Sequence, residues 1–148
     1  MFPKWHVLIG FSASVLLVEF FHISLLSALV VFLASFLVDS DHYLSYAWIK
    51  KDLSLLRAIR WNFEYSDKRV RLAKKEKSKS KRHILIFHGI EFWIILFVIG
   101  TYWSPIFLFA LLGIGIHMAA DWIDFVVRKE PLLAKISQVL VWIRNGKW

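Results

Sequence analysis

The sequence contains no cysteine, which excludes disulfide bonds and any metal site built from thiolates. Lysine and arginine are also absent over two long stretches, from position 5 to 49 and from position 83 to 127. The formal net charge of +8 and the pI of about 9.9 therefore describe only a few segments. This uneven distribution argues against a nucleic-acid-binding protein, for which a high pI would otherwise be typical.

The apolar content is too high for a soluble domain of this size. Of 148 residues, 58% are hydrophobic, and the mean hydropathy is +0.56. A short chain has little interior in which to bury so many apolar side chains, so the surplus has to face lipid. We expect an all-α fold, a polytopic transmembrane helical bundle formed by one domain over residues 1–148.

Three apolar blocks, at about 5–38, 84–103 and 106–127, provide the spans. The second and third each have the length of one membrane crossing, and Ser104-Pro105 between them predicts a turn. As one helix, the first block would be about 51 Å long, against a hydrocarbon core of about 30 Å. It is either one steeply tilted span or a hairpin with its turn near Glu19 to His22. We favour the hairpin, which predicts four spans at about 5–20, 23–39, 84–103 and 106–127.

The basic residues lie mainly between the first two blocks. Thirteen of the 19 lysines and arginines fall within 49–82, and the others lie near the two termini. By the positive-inside rule, the loop 43–82 and both termini are cytoplasmic. Apolar spacing from Leu53 to Phe63 predicts an amphipathic helix at the membrane surface. The Lys/Ser-rich tract 73–82 is expected to be solvated and mobile, and 131–148 to form an interfacial helix.

Ionisable side chains inside membrane spans are the most informative feature. Each costs about 2.5–3.5 kcal/mol on insertion scales and is functional by default. In this chain they are carboxylates and imidazoles, with no lysine or arginine in the same spans to neutralise them. A bound metal cation is the simplest neutraliser, and these ligands suit zinc, manganese or iron.

The spacing of these residues supports a shared site. His117 and Asp121 are four residues apart, so they lie on one helix face. His83 and His88 are five apart, about 140° out of line on a regular helix, so one lies at an irregular helix start or the two have different roles. The four-span topology brings the polar helix ends to the cytoplasmic side, and His6 joins them only through the hairpin.

These residues resemble motifs of a known family. The order His6, Asp39-x-Asp41-His42, His83-x4-His88 and His117-x3-Asp121 is similar to that of the predicted membrane-bound metal-dependent hydrolases of the LexA-regulated inner-membrane type. The chain departs from the family pattern at Val38, where the family has proline, and in the apolar residues between the two histidines of the third motif. Distant similarity of that family to zinc phospholipases C implies phosphoester hydrolysis.

The resulting hypothesis is a membrane-embedded, metal-dependent hydrolase of a phosphoester such as an anionic phospholipid headgroup, in the inner membrane. Two or three divalent ions, zinc first and manganese or iron as alternatives, are expected. Glu91, Asp41 and His88 are the predicted catalytic residues, with Glu91 as a further ligand or the general base. The predicted metal ligands are His6, Asp39, Asp41, His42, His83, His88, His117 and Asp121.

Two other functions remain open from the sequence. A divalent-metal or proton transporter would need polar residues along the whole span, whereas here they stop about halfway. A non-catalytic membrane scaffold could use its basic loop to bind nucleic acid or a partner, but it gives no reason for the buried acids.

Overall fold

The computed structural model describes residues 3–72, 82–129 and 136–146. Within these ranges the chain is helical and contains no strand, which confirms the all-α prediction. A single 3-10 turn, Ile86–His88, accompanies the α-helices. The helices are α1 (Pro3–Phe21), α2 (Leu25–Leu37), α3 (Ser40–Lys50), α4 (Leu55–Arg71), α5 (Ile90–Tyr102), α6 (Ile106–Val127) and α7 (Gln138–Gly146).

The first apolar block is a helical hairpin and not one long tilted helix. His22 adopts a left-handed backbone conformation with φ of 52°, which ends the helical path of α1. Ser24 then caps α2 by accepting a hydrogen bond from the Ser27 N–H at 3.1 Å. Because the two helices pack against each other, the N-terminus of α1 lies beside the C-terminus of α2.

The bundle is held together by close contact of α2 with α1 and α6, while α5 packs on α6. Two glycines permit the approach. A Cβ at Gly113 would lie 2.3 Å from the Val31 carbonyl oxygen, and one at Gly10 would overlap the side chain of Ser35. Small residues at helix contacts are typical of membrane bundles, where packing rather than water exclusion drives association.

Within the described parts of the chain, three helical segments are long and apolar enough to cross a membrane: Lys4–Phe21, Leu25–Lys50 and Ile106–Val127. Many of their large apolar side chains face outward, such as Phe11 and Leu16, which are more than half exposed. An outer surface of this kind suits lipid rather than water, and the chain has the features of a membrane protein.

The apolar block 84–103 is not helical throughout, in contrast to the prediction. Residues 84–89 are irregular apart from the 3-10 turn, and α5 has 13 residues, a length of about 20 Å. Backbone N–H groups of this segment donate to side chains and not to backbone carbonyls of a helix. Gln138 accepts from Leu85 N, and Asp41 accepts from Phe87 N. An extended Gly89 then precedes α5.

The predicted loop 43–82 is largely helical where it is described. The chain passes from α2 to α3 through a two-residue break at Val38 and Asp39, so that helix continues well beyond the predicted end at 39. The predicted amphipathic helix is present as α4 and is longer than expected. Most of the Lys/Ser-rich tract, 73–81, lies outside the described residues, as do 130–135 and 147–148 of the C-terminal region.

The turn between α3 and α4 is fixed by one carboxylate. Arg57 donates two hydrogen bonds to Asp52, at 2.6 and 2.7 Å, and Tyr46 donates a further one. The Arg57 guanidinium holds the pKa of the Asp52 carboxyl well below its usual range. This turn sets the position of α4 across the polar ends of the bundle.

Candidate metal centre

Seven predicted site residues meet at one end of the bundle, where they form a group that we call the His/Asp cluster. They come from the start of α1, the α2–α3 junction, the 3-10 turn and α6. Three overlapping sets of side chains place their ligand atoms within 4.8 Å of one another, close enough to hold a metal ion. The cluster consists of His6, Asp39, Asp41, His42, His88, His117 and Asp121.

At the centre of the cluster, one carboxylate oxygen of Asp39 and one of Asp121 each lie near the Nε2 atoms of both His88 and His117. Asp39 Oδ1 lies 3.5 Å from both His88 Nε2 and His117 Nε2. Asp121 Oδ2 lies 3.8 Å from the first of these nitrogens and 3.5 Å from the second. Ligands of a tetrahedral zinc ion are separated by about 3.3–3.5 Å, because each bond is about 2.0–2.2 Å long. Charge-assisted hydrogen bonds are shorter, about 2.7–2.9 Å, so these separations suit a shared ion better.

The tautomers of two histidines follow from their second ring nitrogens. His117 Nδ1 lies 2.8 Å from the Ser35 carbonyl oxygen, which can only accept, so this nitrogen carries the proton. His88 Nδ1 is likewise 2.9 Å from Asp41 Oδ2. Both rings therefore direct the lone pair of Nε2 toward the carboxylates of Asp39 and Asp121. This arrangement of an outer hydrogen bond orienting a histidine is found at most protein metal sites.

Asp121 links the centre of the cluster to His6. Its second oxygen, Oδ1, lies 3.3 Å from His6 Nε2. The His6 ring is stacked on His117, with 3.8 Å between ring centroids, and is buried. The hairpin brings α1 beside α2 and α6 and so places His6 against His117. Asp121 thus contacts His6 through one oxygen and His88 and His117 through the other.

Asp39 and His42 form the accessible side of the cluster. His42 Nε2 lies 3.6 Å from Asp39 Oδ1, so this oxygen is near three imidazoles at once. The side chains of Asp39 and His42 are 24% and 36% exposed, whereas those of His88 and His117 are fully buried. A small molecule would therefore meet the cluster at Asp39 and His42.

His83 is not brought into the cluster. Its ring is stacked against Trp61 and Tyr65, at centroid distances of 4.4 and 4.0 Å. Burial, and the nearby charges of Arg69 and Lys50, lower the pKa of His83 to about 4. The five-residue spacing to His88 thus reflects different surroundings for the two histidines, and His83 belongs to none of the ligand sets among the described residues.

Glu91 contacts α7 and not the histidines. It accepts hydrogen bonds from the N–H groups of Gln138 and Val139, each at 3.2 Å, and from the Ser137 hydroxyl. These are the unpaired donors at the start of α7, so Glu91 caps that helix. The contacts give Glu91 a structural function, and its catalytic role stays a prediction.

Helix α7 in turn holds the irregular segment that carries His88. The Gln138 side chain accepts from Leu85 N at 2.9 Å. Asn145 makes two hydrogen bonds to the backbone of Arg82, one in each direction, at 3.2 and 2.8 Å. None of these contacts can be predicted from the sequence, since an amide side chain on an interfacial helix carries no signal of its partner.

A cavity of about 520 Å³ adjoins the accessible side of the cluster. It lies between α3, α4, α6 and the segment after residue 82, and its wall includes Asp39, His42 and Asp121. Its volume falls within the range of small-molecule sites, about 300–1,000 Å³.

Comparisons of the chain with family models, with curated proteins and with solved structures found no match.

Proposed function

We propose that this protein is a membrane-embedded hydrolase that uses divalent metal, zinc in the first instance, to cleave a phosphoester. The observation that supports this most directly is the pair of carboxylate oxygens, from Asp39 and Asp121, that each lie 3.5–3.8 Å from Nε2 of both His88 and His117. Two further features agree with it: outer hydrogen bonds fix both imidazoles, and a cavity adjoins the cluster. The resemblance of the sequence motifs to predicted membrane-bound metal-dependent hydrolases leads to the same proposal.

The cluster residues divide into ligands and orienting groups. His88 and His117 would hold an ion through Nε2, together with Asp39 and Asp121. His6 and Asp121 Oδ1, which belong with His117 to another ligand set, would hold a second ion. A bound divalent ion of this kind supplies a water ligand of lowered pKa and positive charge for the phosphoryl oxygens.

The remaining chemistry falls to groups that face the cavity. In the proposed reaction the oxygen of water bonds to phosphorus and loses one proton, the ester P–O bond breaks, and the leaving oxygen takes up a proton. His42 lines the cavity, where its ring can give a proton to the leaving oxygen and then recover the one that water released. Asp41 would act through His88, by holding its ring and its tautomer.

We further propose four membrane passes with both termini in the cytoplasm of a cell with an inner membrane. Helix α5, preceded by the irregular segment 82–89, would form the fourth and shortest pass. The positive-inside rule supports this orientation, since the basic residues flank the end of the bundle that holds the cluster. The site would then lie at the depth of the cytoplasmic headgroups.

Quantifying bound metal in the purified protein tests the proposal. The wild type, prepared without chelators, should contain stoichiometric zinc or another divalent ion, and His117→Ala and Asp39→Ala should lose it. Glu19→Ala, which removes an exposed carboxylate far along α1, is the control and should keep it. Wild-type protein without metal would refute the proposal, and metal flux into liposomes without hydrolysis of any phosphoester would favour a transporter.

A further inference from the structure

The cavity beside the cluster is lined by charged residues and by apolar ones. Arg69, Arg82 and Arg128 line it together with three aspartates, Asp39, Asp121 and Asp124. The formal charges of these six side chains cancel. Each divalent ion held by Asp39 and Asp121 would therefore add two positive charges to a cavity whose own formal charges cancel.

Arg69 is unusual among the cations of α4. The neighbouring Arg57, Arg60, Lys68 and Arg71 are exposed, whereas Arg69 is only 8% exposed. Its guanidinium has five N–H donors in a fixed planar fork, which suits the oxygens of a phosphate. Its guanidinium lies 5.9 Å from the Tyr65 ring on the same face of the helix, which keeps the charge at the cavity.

The apolar residues that line the cavity are continuous with the outer surface of α4. Leu55, Ile59, Phe63 and Val70 line the cavity and are also 59%, 45%, 46% and 43% exposed. They recur at intervals of four and seven residues, so they form one stripe along the helix. A cavity for a water-soluble substrate would open between polar residues, whereas this stripe would open the cavity to lipid.

We propose that the cavity binds a membrane lipid with a phosphomonoester headgroup, the phosphate between Arg69 and the His/Asp cluster and the acyl chain along the apolar stripe of α4. A phosphomonoester carries a charge of about −1.5 to −2 at neutral pH, which complements the charge of the metal-loaded cavity. The inference rests on the proposed function, since it names the substrate of that site. Metal and lipid phosphate should then bind with positive coupling, each increasing the affinity for the other.

The test is a binding titration in nanodiscs of phosphatidylcholine, with the full-length protein and zinc. The probe is decyl phosphate, compared with decyltrimethylammonium and with inorganic phosphate. We expect decyl phosphate to bind most tightly. It alone has both a phosphate for Arg69 and the metal-loaded cluster and an alkyl chain for the apolar stripe of α4. Removing zinc should weaken its binding.

Arg69→Gln should weaken decyl phosphate by about tenfold or more, the usual loss for one charge-assisted hydrogen bond. Arg60→Gln, an exposed arginine on the same helix, is the matched control and should bind as the wild type does. Zinc content is measured in each variant. If Arg69→Gln lost its zinc, the inference would be judged from the wild-type protein alone, by its relative affinities for decyl phosphate, decyltrimethylammonium and inorganic phosphate.

The results separate the two proposals. Wild type that binds zinc but does not prefer decyl phosphate to decyltrimethylammonium would overturn the lipid-phosphate inference and leave the metal site intact. Equal effects of the Arg69 and Arg60 substitutions, with zinc retained, would also overturn it. A protein that binds decyl phosphate through Arg69 but never binds zinc would instead contradict the proposed hydrolase.

Discussion

Replacing Asp41 with asparagine should weaken metal binding without removing it. Asp41 Oδ2 accepts from His88 Nδ1 at 2.9 Å and from Phe87 N at 3.1 Å. Asparagine has the same size, and its amide oxygen in the position of Oδ2 can still accept from both donors, but it carries no charge. The His88 ring would lose its charge-assisted partner while every atom at the centre of the cluster stayed in place.

The expected magnitude follows from similar outer hydrogen bonds at metal sites. Loss of such a partner costs about 10- to 100-fold in metal affinity, or about 1.4–2.7 kcal/mol. The stability of the metal-free protein should change by no more than about 1 kcal/mol, because a charged acceptor is exchanged for a neutral one. Affinity and stability should thus respond differently.

Competition with a chromophoric zinc chelator measures the affinity, and thermal unfolding in detergent measures the stability. Asp39→Asn, at the centre of the cluster, serves as the comparison and should lose far more affinity. Wild-type affinity in Asp41→Asn would refute the orienting role. If Asp41→Asn lost as much zinc affinity as Asp39→Asn and bound fewer zinc ions per protein, Asp41 would be a direct metal ligand.

Other perturbations test the surroundings of the site. Asn145→Leu should destabilise the protein by about 1–3 kcal/mol, since it strips the Arg82 backbone of two hydrogen bonds, and hydrogen exchange should quicken over 82–88; unchanged exchange would contradict the bracing role of α7. Gly113→Ala should destabilise the α2–α6 contact, whereas Gly115→Ala, with nothing within 4 Å, should not, as thermal unfolding would show. His83 has its pKa lowered to about 4 from an unfolded value of about 6.5. Wild type should therefore keep its full stability relative to His83→Phe above pH 6.5 and lose it progressively as the pH falls toward 4; a pH-independent difference would refute this.

The sequence alone predicted the helical class and the residues of the cluster because both depend on local chemistry. Long apolar runs have few alternatives to membrane helices, since the backbone must satisfy its own hydrogen bonds in lipid. Carboxylates and imidazoles within such runs are too costly to be incidental. The hairpin could also be predicted from the sequence, because only that arrangement brings His6 to the polar ends of the other helices.

Tertiary structure decided which of these residues meet. His83 and His88 are equivalent in the sequence motif, yet one ring stacks between Trp61 and Tyr65 and the other lies at the centre of the cluster. The separation arises because the segment before α5 is not a helix. Its N–H groups bind to Asp41 and Gln138, which are 46 and 53 residues away along the chain. Contacts of that range leave no trace in local periodicity, and neither does the use of Glu91 as a cap for α7.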